Sequence, residues 1–293
     1  MRKYECPICP SIEDPSENRK AIVRNGYFKR KSDHRKIRRY QCKRCAKYFS
    51  LATSHPCFGQ NKRQLNEKIK TLFCSGVSGR RMAKILRVSR DTVSNKLKFL
   101  GHVSMIKNME VKFSHFSSEA IQFDEMETFE HTKLKPLSIS LAVDKKTRRI
   151  LGFKVAIMPA KGHLAKLSRK KYGQRPDERK QARLELLREL GLSVGPFAKI
   201  ESDQHPLYPS EVKLEFPFAE HITHRGQRGS IVGQGELKKI RFDPLFSLNH
   251  TCAMLRANIN RLFRRTWCTT KKRERLKDHI AIYVEYHNSK LIS

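Results

Sequence analysis

The chain has 293 residues, with 62 Lys and Arg against 28 Asp and Glu, a formal charge of +34. That excess is far beyond what solubility needs and calls for a polyanionic partner, because each basic side chain set on a phosphate releases condensed counterions. No run nears the roughly 18–20 apolar residues of a membrane helix, no lipid anchor stands out, and the start MRKYECPICP lacks the form of a signal peptide. The expectation is a cytoplasmic, nucleoid-associated protein with no membrane partner, whose eight cysteines stay reduced.

Residues 1–58 hold two CxxC pairs, Cys6-Pro7-Ile8-Cys9 and Cys42-Lys43-Arg44-Cys45. Zinc takes four soft ligands at tetrahedral angles, and each CxxC turn delivers two thiolates. A zinc ribbon is expected, with one structural ion held by Cys6, Cys9, Cys42 and Cys45 and no open position for chemistry. Tyr27, Phe28, Tyr40, Tyr48 and Phe49 would form a small core over the metal, without which so short a domain buries too little surface. Redox work would need one pair rather than two. Cys57, Cys74, Cys252 and Cys268 lack such spacing and read as core or incidental.

Residues 59–104 carry helical periodicity: a first helix over about 62–74, a second over about 79–86, and a third after Ser89 with Val93, Leu97 and Leu100 on one face. Ser89 suits the N-cap. The short turn between the last two helices suggests a helix-turn-helix, with Arg87, Arg90, Thr92, Ser94, Asn95 and Lys96 as DNA-binding residues and Arg90, Thr92, Ser94 and Asn95 near base edges. A plain three-helix structural module has the same pattern; the charge and the adjoining ribbon favour DNA.

Strand patterns follow over 119–130, 137–143 and 149–158, then a charged loop and a helix over about 177–190. A short strand at 197–200 runs into Glu201-Ser202-Asp203, and another lies near 219–223. Gly226, Gly229, Gly233 and Gly235 mark a basic loop that does not match a phosphate-binding loop. Helices over about 243–266 and 271–287 close the chain. This order is that of a ribonuclease H-like α/β domain over 118–293. Asp124, embedded in an apolar strand, and Asp203, at a strand end, could share divalent metal ions, although Asp at strand ends is also common in surface turns.

The CPxC ribbon ending in Arg39-Tyr40-Gln41-Cys42-Lys43-Arg44-Cys45, the helix-turn-helix and Asp124-Glu125 together resemble bacterial insertion-sequence transposases. So do Asp203-Gln204-His205-Pro206-Leu207-Tyr208, Leu255-Arg256, Arg261-Leu262-Phe263-Arg264-Arg265-Thr266 and Tyr286-His287-Asn288, in that order. The family is the DDE superfamily of ribonuclease H-like enzymes, and the resemblance spans nearly the whole chain. It implies a DNA transposase that binds the ends of its element and cuts and joins strands, using two Mg²⁺ ions on Asp124 and Asp203. It also implies double-stranded DNA partners, namely terminal inverted repeats and target, and a homodimer or higher oligomer on DNA.

The family's third acid falls here on Asn249, seven positions before Arg256, which would contact a phosphate or an aspartate. Asn249 can ligate through its carbonyl oxygen but brings no charge; His250 or Asp243 are the alternatives, and Glu125 is a supporting candidate. A catalytically inactive copy, or a domesticated sequence-specific DNA-binding regulator, is the competing function.

Overall fold

The computed structural model describes residues 5–9, 20–31, 33–113, 117–225, 243–263 and 266–292. It divides into two compact units, Met1–Glu67 and Lys68–Ser293. The Gly-rich loop, Arg264 and Arg265 lie outside the described residues.

In the first unit, β1 (Ile22–Lys29), β2 (Lys36–Cys42) and β3 (Tyr48–Phe49) form an antiparallel sheet in sequential order. The register of β1 on β2 shifts between Arg24 and Tyr27, and Gly26 there takes φ 63°, a left-handed conformation that a side chain disfavours. The core is Cys6, Tyr40, Cys42 and Phe49, with Ile22, Cys9 and Cys45 packed against it. The Tyr40 and Phe49 rings lie 5.8 Å apart. Of the five aromatics expected to roof the metal, Tyr40 and Phe49 pack with the cysteines, whereas Tyr27, Phe28 and Tyr48 are exposed.

Helix α1 (Asn66–Phe73) leads to α2 (Gly79–Ile85) and α3 (Arg90–Phe113). Ile69, Phe73, Met82, Ala83, Val93, Leu97 and Leu100 are buried. The Ser78 hydroxyl accepts from the Arg81 N–H at 3.4 Å and the Ser89 hydroxyl from the Thr92 N–H at 3.1 Å, so both later helices start on capped backbone. The third helix does not stop near residue 104 but runs to Phe113. Its extension is held by α8 (Arg273–Tyr286), further along the chain: the Ser104 hydroxyl donates to Glu285 at 2.6 Å and the Asn108 amide to the Ala281 carbonyl at 3.0 Å.

The large sheet contains β4 (Ser118–Phe129), β5 (Pro136–Asp144), β6 (Ile150–Ile157), β7 (Val194–Asp203) and β8 (Glu220–His224) in the order β6-β5-β4-β7-β8. β4, β5 and β6 pair antiparallel; β7 runs parallel to β4, and β8 parallel to β7. Between β6 and β7 lie α4 (Leu164–Tyr172) and α5 (Arg179–Leu190). The charged loop expected there thus contains a helix, anchored by the Ser168 hydroxyl on the Leu134 carbonyl at 2.7 Å. α6 (Tyr208–Glu215) follows β7, and α7 (Phe246–Asn258) is shorter than the 243–266 expected. Leu186, Leu187 and Leu190 of α5 and Tyr208 and Val212 of α6 pack with Ile121, Phe123 and Ile200 in one apolar cluster. α7 is tied to the sheet by Gln122, whose Oε1 accepts from the Leu248 N–H at 3.1 Å and whose Nε2 donates to the Pro244 carbonyl at 2.8 Å.

Candidate functional site

Two sites are built by these elements. In the first unit, the ligand atoms of Cys6, Cys9, Cys42 and Cys45 all lie within 4.8 Å of one another. Cys6 and Cys45 sulfurs are 3.6 Å apart, and those of Cys9 and Cys42 3.9 Å. A tetrahedron of Zn–S bonds of about 2.3 Å has edges of about 3.8 Å, so the residues fit the ion. The shared hydrogen bond with Cys45, then burial, pushes the Cys9 thiol up to about 12, since four crowded sulfurs cannot all ionise without a cation among them. Four cysteines can therefore hold a metal such as zinc.

The second site lies on the large sheet. β4 and β7 are paired through Gln122 and Glu201, and two residues further along each strand come Asp124 and Asp203. Side chains alternate along a strand, so Gln122, Asp124, Glu201 and Asp203 share the face that α7 covers. The Gln122 amide donates to Glu201 Oε2 at 2.8 Å, and Lys145 donates to Glu201 Oε1 at 2.5 Å.

Burial pushes the Asp124 carboxyl up to about 6, and the Asp203 charge adds to the rise; hydrogen bonds from the Glu125 N–H and the Tyr208 hydroxyl oppose it. Those bonds reach Asp124 Oδ1 at 2.6 and 3.1 Å. Asp203 Oδ1 accepts from the His205 N–H at 3.0 Å. A cation beside Asp124 would offset both its burial and the Asp203 charge that raises it.

Beneath the opposite face lies a buried ion cluster. Arg183 donates to Glu211 through Nε and Nη2, both at 2.7 Å, and to Glu125 Oε2 at 3.0 Å. Glu125 Oε1 also accepts from the Ser138 hydroxyl at 2.7 Å. The Tyr208 ring lies over Arg183 at 5.6 Å, packs on Phe123 at 4.7 Å and stacks with His205 at 4.6 Å. Glu125 is thus paired with Arg183 on one side of the sheet while its neighbour Asp124 faces the other.

Sequence reasoning passed over Arg183, although a signal was present. It occupies the first position of the i, i+3, i+4, i+7 stripe completed by Leu186, Leu187 and Leu190, all buried, and a charge there requires buried partners.

On α7, Cys252 is within electrostatic reach of both Asp124 and Arg256, so the middle of this helix lies near Asp124. Asn249, one turn earlier, is exposed, and its amide donates to Asp243 Oδ2 at 2.8 Å. Asn249 and Asp243 are thereby brought together at the amino end of α7. His250 belongs elsewhere: its ring lies 5.6 Å from that of Phe246, and it is within electrostatic reach of His287.

Of the expected DNA-binding residues, Arg87, Arg90, Ser94 and Asn95 are exposed and Thr92 is half-buried with its hydroxyl 2.9 Å from that of Ser89. Lys96 is a correction. It is 4% exposed, turned with Val93 and Leu97 towards the interior, so its stem packs in the unit instead of lying on an open face. Among the described residues, no helix is long and apolar enough to cross a membrane.

No family model matches the chain, and no curated protein does. Among solved structures, the Mos1 strand transfer complex is similar at 14% identity and a TM-score of 0.25, over 78% of this chain and 76% of that one. A pre-cleavage Mos1 transpososome is similar at 10% identity and a TM-score of 0.20, over 75% of this chain and 78% of that one.

Proposed function

We propose that this protein is a DNA transposase, a ribonuclease H-like enzyme that binds the ends of a mobile element and cuts and rejoins strands. One observation carries the reading: Asp124 and Asp203 each stand two residues beyond the paired Gln122 and Glu201 of neighbouring parallel strands, near enough for the Asp203 charge to raise the Asp124 carboxyl. The strand order, antiparallel through β4 and parallel beyond it, supports the fold assignment. In this reading Asp124 and Asp203 hold Mg²⁺, with Asn249 completing the set through its carbonyl oxygen, the atom that its bond to Asp243 leaves unused. The bound ions would activate an attacking oxygen and stabilise the leaving one. The chain's own part is to orient: Tyr208 and the Glu125 N–H fix one oxygen of Asp124, His205 fixes one of Asp203, and Arg256 meets a phosphate.

Residues 1–58 serve as the zinc ribbon, 59–104 as the DNA-reading module through Arg87, Arg90, Thr92, Ser94 and Asn95, and 118–293 as the catalytic region. Two copies meet when two element ends are paired. A second reading has its own observation: Asn249 brings no charge and is engaged with Asp243, which suits a DNA-binding regulator without chemistry.

One assay separates them. Purified protein is given Mg²⁺ and a duplex carrying the repeats that flank its gene. The enzyme reading expects nicking at the repeat end, lost by at least about 10³-fold in Asp124→Asn and in Asp203→Asn while binding persists, the scale of removing a group on which the reaction depends. Wild-type activity that survives both changes, or binding with no cleavage at all, rejects it.

A further inference from the structure

The hairpin of β1 and β2 has a face that the catalytic reading leaves unused. Between residues 20 and 49 the chain has twelve Lys and Arg and a single acid, Asp33, and that acid is engaged with Arg30 and Arg35. Along β2, Lys36, Arg38, Tyr40 and Cys42 alternate onto one face. Tyr40 and Cys42 are buried in the metal core; beyond them the same face carries Arg38 and Lys36, opposite Tyr27 and Lys29.

The Tyr27 ring is 46% exposed, with the Arg38 guanidinium 3.8 Å and the Lys36 ammonium 4.8 Å from its centre. Cations held against a ring in this way are fixed in direction before any partner arrives. The amides able to read bases are, by contrast, occupied. Asn25 donates to Gln41 at 3.3 Å and accepts from Arg39 at 3.0 Å, while Gln41 donates to the Ala46 carbonyl at 3.4 Å. What the Lys36 and Arg38 face offers a partner is charge and the Tyr27 ring, which suit phosphate and sugar but carry no base code.

We infer that this hairpin face is a sequence-independent anchor on the backbone of duplex DNA, with Lys36 and Arg38 on phosphates and the Tyr27 ring against the sugars. The inference rests on the DNA-binding part of the proposed function and is separate from its chemistry. Full-length protein is titrated by anisotropy at several NaCl concentrations without Mg²⁺, on one duplex bearing the flanking repeat and one of scrambled sequence. In the K36A/R38A double variant, affinity should fall by the same factor on both duplexes. The slope of log affinity against log salt should lose about 2 in magnitude, since each phosphate contact contributes about 0.9. K36R/R38K should keep the wild-type slope, and both variants should keep one zinc per chain.

An unchanged slope in K36A/R38A, a loss confined to the repeat duplex, or an equal loss in K36R/R38K would each overturn the anchor. Stronger competition by single-stranded RNA than by duplex DNA would do so too. If the wild type bound neither duplex, the DNA partner itself would be lost, whereas binding without cleavage would leave the anchor standing and remove only the enzyme.

Discussion

The two units solve the same problem, holding charged groups in place, with opposite means. The first has a core of four buried residues, two of them cysteines, and exposes most of its aromatics. So little apolar surface cannot offset the entropy of ordering the chain, and a metal on the four cysteines would supply the difference. The second buries a continuous apolar cluster on the large sheet and uses that stability to hold an ion cluster and two aspartates where water alone would not leave them. Charge in the first unit is solvated and faces outward; in the second, the charges that matter are inside. A chain built this way should come apart in two separate steps, each with its own trigger.

The largest effect should follow removal of the metal. Chelation, or Cys42→Ser, should unfold the first unit and leave the second folded, because structural zinc contributes about 10 kcal/mol or more to such small domains. Calorimetry should then show one transition lost and one unmoved. A single transition that shifts as a whole would mean the units are not independent in stability.

Next comes acid. His279 is fully buried between α1 and α8, donating to the Phe73 carbonyl at 2.8 Å, and burial, with Arg261 adding, pulls it down to about 3. Unfolded, it takes a proton near its ordinary 6.5. Between those values the unfolded state binds the extra proton, so the stability of the second unit should be full above about pH 6.5 and fall as pH drops towards 3. The full loss is on the order of 5 kcal/mol. Urea midpoints measured at pH 7 and pH 4.5 should differ for wild type and differ much less for His279→Gln. Equal pH slopes in the two proteins would assign the acid sensitivity to other groups.

A smaller effect is expected where α3 meets α8. A side chain at Gly101 would bring its Cβ within 2.4 Å of Asp278 Cβ and 2.7 Å of its Cα, so the helices must part. Gly101→Ala should cost about 1–3 kcal/mol and lower the melting temperature of the second unit alone. An unchanged melting temperature would show that α8 yields freely.

Much of this was legible in the residues. The paired CxxC turns announce a four-thiolate site because their geometry is local, two ligands within each turn. The strands of the large sheet and most helices follow from periodicity, which depends on neighbours within a few residues. Asp124 and Asp203 could be singled out because a carboxylate among apolar residues is costly anywhere.

Tertiary structure decided what rests on partners far along the chain. Arg183 meets Glu125 58 residues away and Glu211 28 residues away, and no local pattern names either partner. α3 runs on to Phe113 because α8 lies beside it, and packing also settled nearer matters, turning Lys96 inward and setting Asn249 on Asp243 six residues before it. Local sequence sets which side chains need shelter or a cation, because solvation acts on each group by itself. Which group meets which is a pairwise matter, settled only when the sheet brings distant strands to about 5 Å.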